Sequence, residues 1–336
     1  MLKYEIKMIE NKKVSILLIL KVLEQYSDEE HFLTQQDIID KVSQLYGIEL
    51  ERKSVAFSIA LLQDLDYDIN KSPRGGYALL SRSFDNSEIR FITDALFSSK
   101  SISGKQATEL ANKLNSCLSK YQRKDYSFVY KSSDLARTSN KEVFYTLELI
   151  EEAKRRGKRI SFQYLTYDEN GQPLTKRDGF RYIVSPYYSV NSNSRYYLIC
   201  NYREKYRAIQ SFRIDYMMNA RIEEEWPIKP LESLKNCEGF NITEYLNDNI
   251  YLLAGDVIKA VVELADSNTI QYVVDWFGKN AKVTNKNGKL YAEIKCNESA
   301  LFYWCMQYSE CTKVISPKPL INRIKNEAQA ILEKYK

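Results

Sequence analysis

The chain has 336 residues, 44% of them hydrophobic, so it can fill packed cores in two to four domains of roughly 100 residues each. It holds six cysteines, none in a CxxC pair, and a single histidine, His31. That inventory argues against a structural zinc site and against most acid–base or triad chemistry. Net charge is a mild +5, but from Lys154 to Ile222 there are 14 Lys/Arg against 5 Asp/Glu, so this stretch carries +9 and the remainder −4.

In chain order, VSILLILKVLEQY (14–26) sets Val14, Leu17, Leu18 and Val22 at helical spacing. Thr34 and Asp37 approximate a capping box ahead of a second helix, which Gly47 stops. A third helix is expected over Arg52–Leu65, with Val55, Ile59 and Leu62 on one stripe. YDINKSPRGGYALL (67–80) reads as two strands around a turn at Ser72–Gly76. Three short helices followed by a hairpin is the winged helix-turn-helix order. Residues 84–120 read as two further helices, with Ser103 as a cap, and the polar stretch 131–141 reads as a linker.

After a helix over 142–158 that ends at Gly157, the pattern changes to strands: RISFQYLTY, FRYIVSPYYSV, SRYYLICNY, YRAIQSFRI and NARIEE, with a DENGQ turn. These predict a small, strongly bent β-sheet or barrel. WPIKP (226–230) opens a second linker of about 25 residues. From Asp256 the order strand–helix–strand–strand–helix–strand–helix predicts a compact α+β domain of ferredoxin-like alternation. The fold class is therefore α+β and multidomain: a winged helix over 1–82, a helical linker over 83–141, a bent-sheet domain over 142–226, a linker over 227–255 and an α+β domain over 256–336.

Candidate chemistry follows from residue type and position. On the third helix, Arg52 and Lys53 suit phosphates, and Ser54, Phe57 and Ser58 stand nearest the bases, where Phe57 can meet a thymine methyl. Arg74, beside two glycines at the hairpin tip, suits a phosphate or the minor groove. In the basic middle segment, arginines interleaved with tyrosines fit an anionic, base-bearing ligand, or else a solvated strand face. Arg177, Arg181, Arg207 and Arg213 supply bidentate donors, and Tyr164 and Tyr187 offer ring faces and hydroxyls. SRYYLICNY alternates Tyr196, Leu198 and Cys200 with Tyr197, Ile199 and Asn201, which suits a strand buried on both sides rather than a stacking platform. Trp226 and Trp304 read as packing residues. GxGxxG, GxxxxGK[ST] and GxSxG are all missing, so no enzyme, cofactor or metal centre is expected.

The middle segment resembles a WYL domain, a family named for a Trp-Tyr-Leu triplet. Tyr196-Tyr197-Leu198 stands at that position, with Tyr164 on the first strand, Pro186 before the triplet and Phe212-Arg213-Ile214-Asp215 after it. Val257–Leu264, Trp304 and Val314-Ile315-Ser316-Pro317 are similar to the C-terminal (WCX-type) extension of such proteins. The resemblance implies an Sm-like sheet and a bacterial transcriptional regulator, by default a homodimeric repressor. The longest apolar run, Ile16–Leu20, is too short for a bilayer and the first residues lack a signal-peptide pattern, so a cytoplasmic setting with no membrane association is expected. The resemblance further implies a double-stranded DNA operator and a single-stranded nucleic-acid or nucleotide effector, in phage-defence or DNA-damage settings. The sequence departs from the family at Tyr216, where a second arginine is usual, at Gln210-Ser211 before Phe212, and at Ala56 in the third helix. Ser211 joins the candidate effector set. Two other readings stay open: an RNA- or single-strand-binding accessory protein, and a protein-interaction module.

Overall fold

The computed structural model describes residues 14–123, 138, 140–202, 209–253 and 255–336, which form a mixed α+β protein with several antiparallel sheets. The chain divides into two compact units, Met1–Arg137 and Thr138–Lys336.

In the first unit, α1 (Ser15–Tyr26), α2 (Gln35–Tyr46) and α3 (Arg52–Asp64) precede a hairpin of β1 (Ile69–Lys71) and β2 (Tyr77–Leu79). The predicted capping box closes the start of α2: the Asp37 N–H donates to Thr34 Oγ1 at 3.1 Å, and the Thr34 N–H donates to Asp37 at 2.8 Å. Gly47 ends α2 in the left-handed region. Ile19, Val22, Ile38, Val42, Val55, Ile59, Leu62 and Leu79 meet in one core, as their helical spacing requires. Leu33 pairs with Tyr77 in an isolated antiparallel bridge beside the hairpin. Gly76, at φ +96°, lets that backbone pass, since a Cβ there would lie 3.2 Å from the Leu33 carbonyl.

The expected linker helices form as α4 (Asn86–Ser98) and α5 (Gly104–Asn115), with Ser103 capping α5 as predicted. The chain after α5 folds back and bonds to the end of α1 and the segment after it rather than running free. The Lys120 N–H donates to the Gln25 carbonyl at 2.9 Å, and the Ser119 hydroxyl donates to the buried carboxylate of Asp28 at 2.5 Å. The His31 ring lies flat on Tyr121, centroids 3.7 Å apart, with Nδ1 2.6 Å from Asp28. Burial works against the Asp28 charge, but the Ser119 and His31 bonds outweigh it and hold the carboxyl below its usual range.

The second unit begins with α6 (Val143–Arg155). It packs on a sheet of β3 (Lys158–Tyr167), β4 (Pro173–Thr175), β5 (Arg181–Ser192), β6 (Arg195–Asn201), β7 (Gln210–Arg213) and β8 (Met217–Pro227). Strand order is β4-β3-β5-β6-β7, and β8 pairs with β3 on its other side. The first residues of β5 pair with β3 and the rest with β6, with a bulge between Pro186 and Tyr188; that change of partner bends the sheet. β6 lies inside the sheet with Leu198, Ile199 and Cys200 all buried, as its two-faced apolar pattern predicts.

Within residues 227–255, expected as a linker, the described residues include buried anchors and a helix. Leu234 and Cys237 bury against Tyr187, and α7 (Ile242–Asp248) forms within the stretch. The C-terminal part runs β9 (Val257–Leu264), α8 (Thr269–Phe277), β10 (Ala281–Lys286), β11 (Lys289–Asn297), α9 (Glu298–Gln307), β12 (Thr312–Ser316) and α10 (Lys318–Lys334). Its antiparallel order is β10-β11-β9-β12. Trp304, fully buried among Val262, Ile294, Phe277 and Leu320, is the packing residue the sequence suggests. Trp226 is not: it is exposed, with the Arg159 guanidinium 5.4 Å from its ring centroid. Among the described residues, no helix is long and apolar enough to cross a membrane.

Candidate effector and nucleic-acid sites

The most organised polar cluster of the second unit centres on Asp215, in the short turn between β7 and β8. Its side chain is 1% exposed. Arg213 grips it twice, Nε to Oδ1 at 3.1 Å and Nη2 to Oδ2 at 2.6 Å, and Arg195 Nη1 reaches Oδ2 at 3.2 Å. Two guanidinium groups on one carboxylate leave one net positive charge, and each arginine is about one-fifth exposed. A carboxylate this deep is tolerated only because both partners hold it.

Aromatic rings frame the arginines. The Arg213 guanidinium stacks 3.8 Å from the Tyr216 centroid, and Tyr167 meets Tyr216 edge-on. Tyr197 stands directly across the ladder from Arg213. Tyr164 packs edge-on against Phe212 and Tyr216, and its hydroxyl accepts the Arg213 backbone N–H at 3.0 Å. Burial pushes the hydroxyls of Tyr164, Tyr167 and Tyr197 above the ordinary tyrosine range, so they remain neutral donors. The cluster can bind a planar, anionic group: guanidinium edges for charge, tyrosine faces and hydroxyls around them.

Of the predicted effector residues, the fold brings Tyr164 and Arg213 together here, while Arg181, Tyr187 and Ser211 bond elsewhere. Arg181 turns to Ser161, with Nε 3.1 Å from its hydroxyl, and donates to the Asn219 carbonyl at 2.7 Å. There it joins Arg221 and Glu223 in a separate cluster. Tyr187 is buried and donates its hydroxyl to the Lys229 carbonyl at 2.9 Å; burial pushes its pKa up to about 12. Its ring face is occupied by packing, so it offers no stacking surface. The Ser211 hydroxyl is spent on the Leu252 carbonyl at 2.8 Å. Arg177 is exposed in the turn after β4, in the left-handed region at φ +54°. Arg207 lies outside the described residues.

Sequence reasoning missed Arg195 and Tyr197. The signal was available: they alternate on β6, whose buried residues had marked the strand as structural throughout. Tyr216, noted as a departure from the usual arginine, becomes the platform under Arg213.

In the first unit, Arg52, Lys53 and Phe57 are exposed on α3, and Ser54 is half-buried. Arg52 donates to Gln36 of α2 at 3.2 Å, which sets the starts of the two helices side by side. Arg74 is exposed at the hairpin tip, where its N–H donates to the Ser72 hydroxyl. Ser58 differs from expectation: it is buried, one turn from Val55 and from Leu62, and faces the core instead of a ligand. Among the described residues, no group of three or more His, Cys, Asp or Glu side chains could hold a metal ion.

Comparison with known proteins places a WYL domain at residues 145–222. The solved structure of proteasome accessory factor B/C (PafBC) of Arthrobacter aurescens aligns with 97% of this chain at 14% identity and a TM-score of 0.29. The chain spans 49%, about half, of that protein. A solved structure of a CRISPR Cas-related protein aligns with 96% of this chain and 84% of its own, at 15% identity and a TM-score of 0.41. No curated protein matches the chain.

Proposed function

We propose that this WYL-domain protein is a DNA-binding transcriptional regulator. In this reading the first unit is a winged helix-turn-helix that binds an operator duplex through Arg52, Lys53 and Phe57 of α3 and Arg74 of the wing. The WYL sheet is the Sm-like sensor of a nucleic-acid or nucleotide-like anion, and the ferredoxin-like C-terminal part supports a homodimer, which favours a two-fold operator. Repression is the default sign, and the setting is cytoplasmic, in phage defence or a DNA-damage response.

The observation that carries the reading is the Asp215 cluster. Two partly exposed arginines share one buried carboxylate beside Tyr197 and Tyr216, an arrangement with net positive charge and aromatic rings in one place. Arg195, Arg213, Tyr197 and Tyr216 are assigned to the effector; Tyr164 positions Arg213 through its backbone. An effector acts on duplex affinity only by binding the two shapes of the dimer differently.

The test is a salt-dependent mobility shift of duplex from the gene's own upstream region. Lys53→Ala is expected to weaken that shift and leave self-association unchanged; an unchanged shift removes α3 from the interface. Arg213→Ala is expected to abolish the response to single-stranded oligonucleotide without weakening duplex binding. Single-strand binding with no duplex binding would favour an accessory role, and binding of neither would favour a protein-interaction module.

A further inference from the structure

The outward strip of α3 has an unusual composition for a surface that meets nucleic acid. Past the first turn it presents Ala56, Phe57, Ala60 and Leu61, all exposed, with Phe57 at 70%, before the charged Asp64 ends the helix. Their spacing of three and four residues puts them on one face. None has a side-chain hydrogen-bond donor or acceptor, and the buried position of Ser58 removes the polar group nearest to them.

Charge determines what covers this strip. Residues 14–82 contain seven Lys/Arg against eleven Asp/Glu, a net −4. Of the seven cations, Lys41 lies over the Tyr26 ring and Arg82 donates to the carbonyls of Glu24 and Ser27. Four others, Arg52, Lys53, Lys71 and Arg74, are exposed at the start of α3 and along the wing. The start of α3 adds free backbone N–H groups, since no side chain caps it. Four of the seven cations thus stand at the first turn of α3 and along the wing, where they can meet phosphates; the exposed carboxylates of this stretch, Glu49 and Glu51 before α3 and Asp64, Asp66 and Asp68 after Leu61, flank the strip at its two ends. In the major groove the partner for an apolar side chain is the C5 methyl of thymine.

We propose that α3 reads its operator through thymine methyl groups packed against Phe57 and Leu61, with no hydrogen-bond code over residues 56–61. Affinity comes from Arg52, Lys53, Lys71 and Arg74 on phosphates; sequence preference comes from apolar contact. This rests on the reading of the first unit as duplex-binding.

The test uses the full chain. Its preferred duplex is selected from a random library, and each thymine is then replaced in turn by deoxyuridine, which removes only the methyl. Wild-type affinity is expected to fall about fourfold for each methyl contacted, the effect of about one buried methylene-sized group. Phe57→Ala is expected to bind the thymine and deoxyuridine duplexes equally at its position, with an unchanged salt slope because the phosphate contacts remain. Phe57 is exposed, so its truncation leaves the fold intact, which an unchanged melting profile verifies. Duplex binding indifferent to every deoxyuridine overturns the methyl proposal alone, as does Phe57→Ala discriminating as wild type does. Failure to select any duplex overturns the DNA-binding reading and this proposal with it. A Phe57→Ala chain that keeps methyl-independent duplex binding but loses self-association assigns the strip to a protein partner.

Discussion

Truncating Arg213 to alanine removes two of the three side-chain hydrogen bonds that described residues make to the Asp215 carboxylate, together with the cation over Tyr216. Breaking a buried ion pair from one side costs about 3–5 kcal/mol when the remaining charge is left with nothing. Here Arg195 stays 3.2 Å from the carboxylate and the lost guanidinium was about one-fifth exposed, so a loss at or below the bottom of that range, about 2–3 kcal/mol, is expected. The second unit spans residues 138–336, a size at which each kcal/mol moves the melting temperature by roughly 2–4 °C, so the midpoint should fall by roughly 4–12 °C. Trp226, Trp276 and Trp304, the three tryptophans of the chain, all lie in this unit, so tryptophan fluorescence follows its unfolding selectively. The assay is a double-mutant cycle of wild type, Arg213→Ala, Asp215→Ala and the double variant. Asp215→Ala leaves two guanidinium groups unneutralised, and removing Arg213 from that background relieves one of them. The double variant is expected to be at least 1 kcal/mol more stable than the sum of the single losses predicts, within the usual range for residues in contact. Additivity to within about 0.5 kcal/mol would refute the claim that Asp215 is held by Arg213.

Asp28 should make the first unit acid-sensitive. Its folded pKa is lowered, so its contribution is complete above the ordinary carboxylate value of 3.8 and is lost as pH falls through the folded value. Circular dichroism melts of wild type should lose stability below that pH more steeply than those of Asp28→Asn, which starts less stable at neutral pH; equal slopes would contradict the assignment. Burial pushes Cys296 and Cys305 up to about 12 and raises Cys200 further, whereas Cys117 is exposed. Thiol labelling of native protein at pH 8, mapped by mass spectrometry, should therefore modify Cys117 while Cys200, Cys296 and Cys305 react only on unfolding. Gly76→Ala places a methyl group 3.2 Å from the Leu33 carbonyl at φ +96° and should destabilise the first unit by more than about 1 kcal/mol in chemical denaturation.

Local rules made much of the architecture legible. Thr34 with Asp37, Ser103 with Gln106, and Gly47 mark helix ends through bonds spanning three or four residues, and the structure uses all of them. Alternation identified β6 as an internal strand, and the strand–helix order of residues 257–334 follows the chain as read. Period and capping are properties of a short window, so a single sequence carries them whole. The sequence also determined, through Tyr164, the Tyr196–Leu198 triplet and the Phe212–Asp215 run, that a WYL domain lies in the middle of the chain.

Which arginines work together was decided only by tertiary structure. Arg195 and Asp215 are twenty residues apart, and Tyr197 meets Arg213 because β6 and β7 pair in one register. Arg181, equally basic and equally placed beside an aromatic, is drawn instead to Ser161 across the β3–β5 pairing. Tyr187 looked like a ligand-facing ring until residues 229–237 covered it. Composition gives each strand its charge and its two faces; register and the bend at Pro186–Tyr188 determine which of those faces converge. Those are long-range pairings whose energy is spread over the whole sheet, so no short stretch of sequence specifies them.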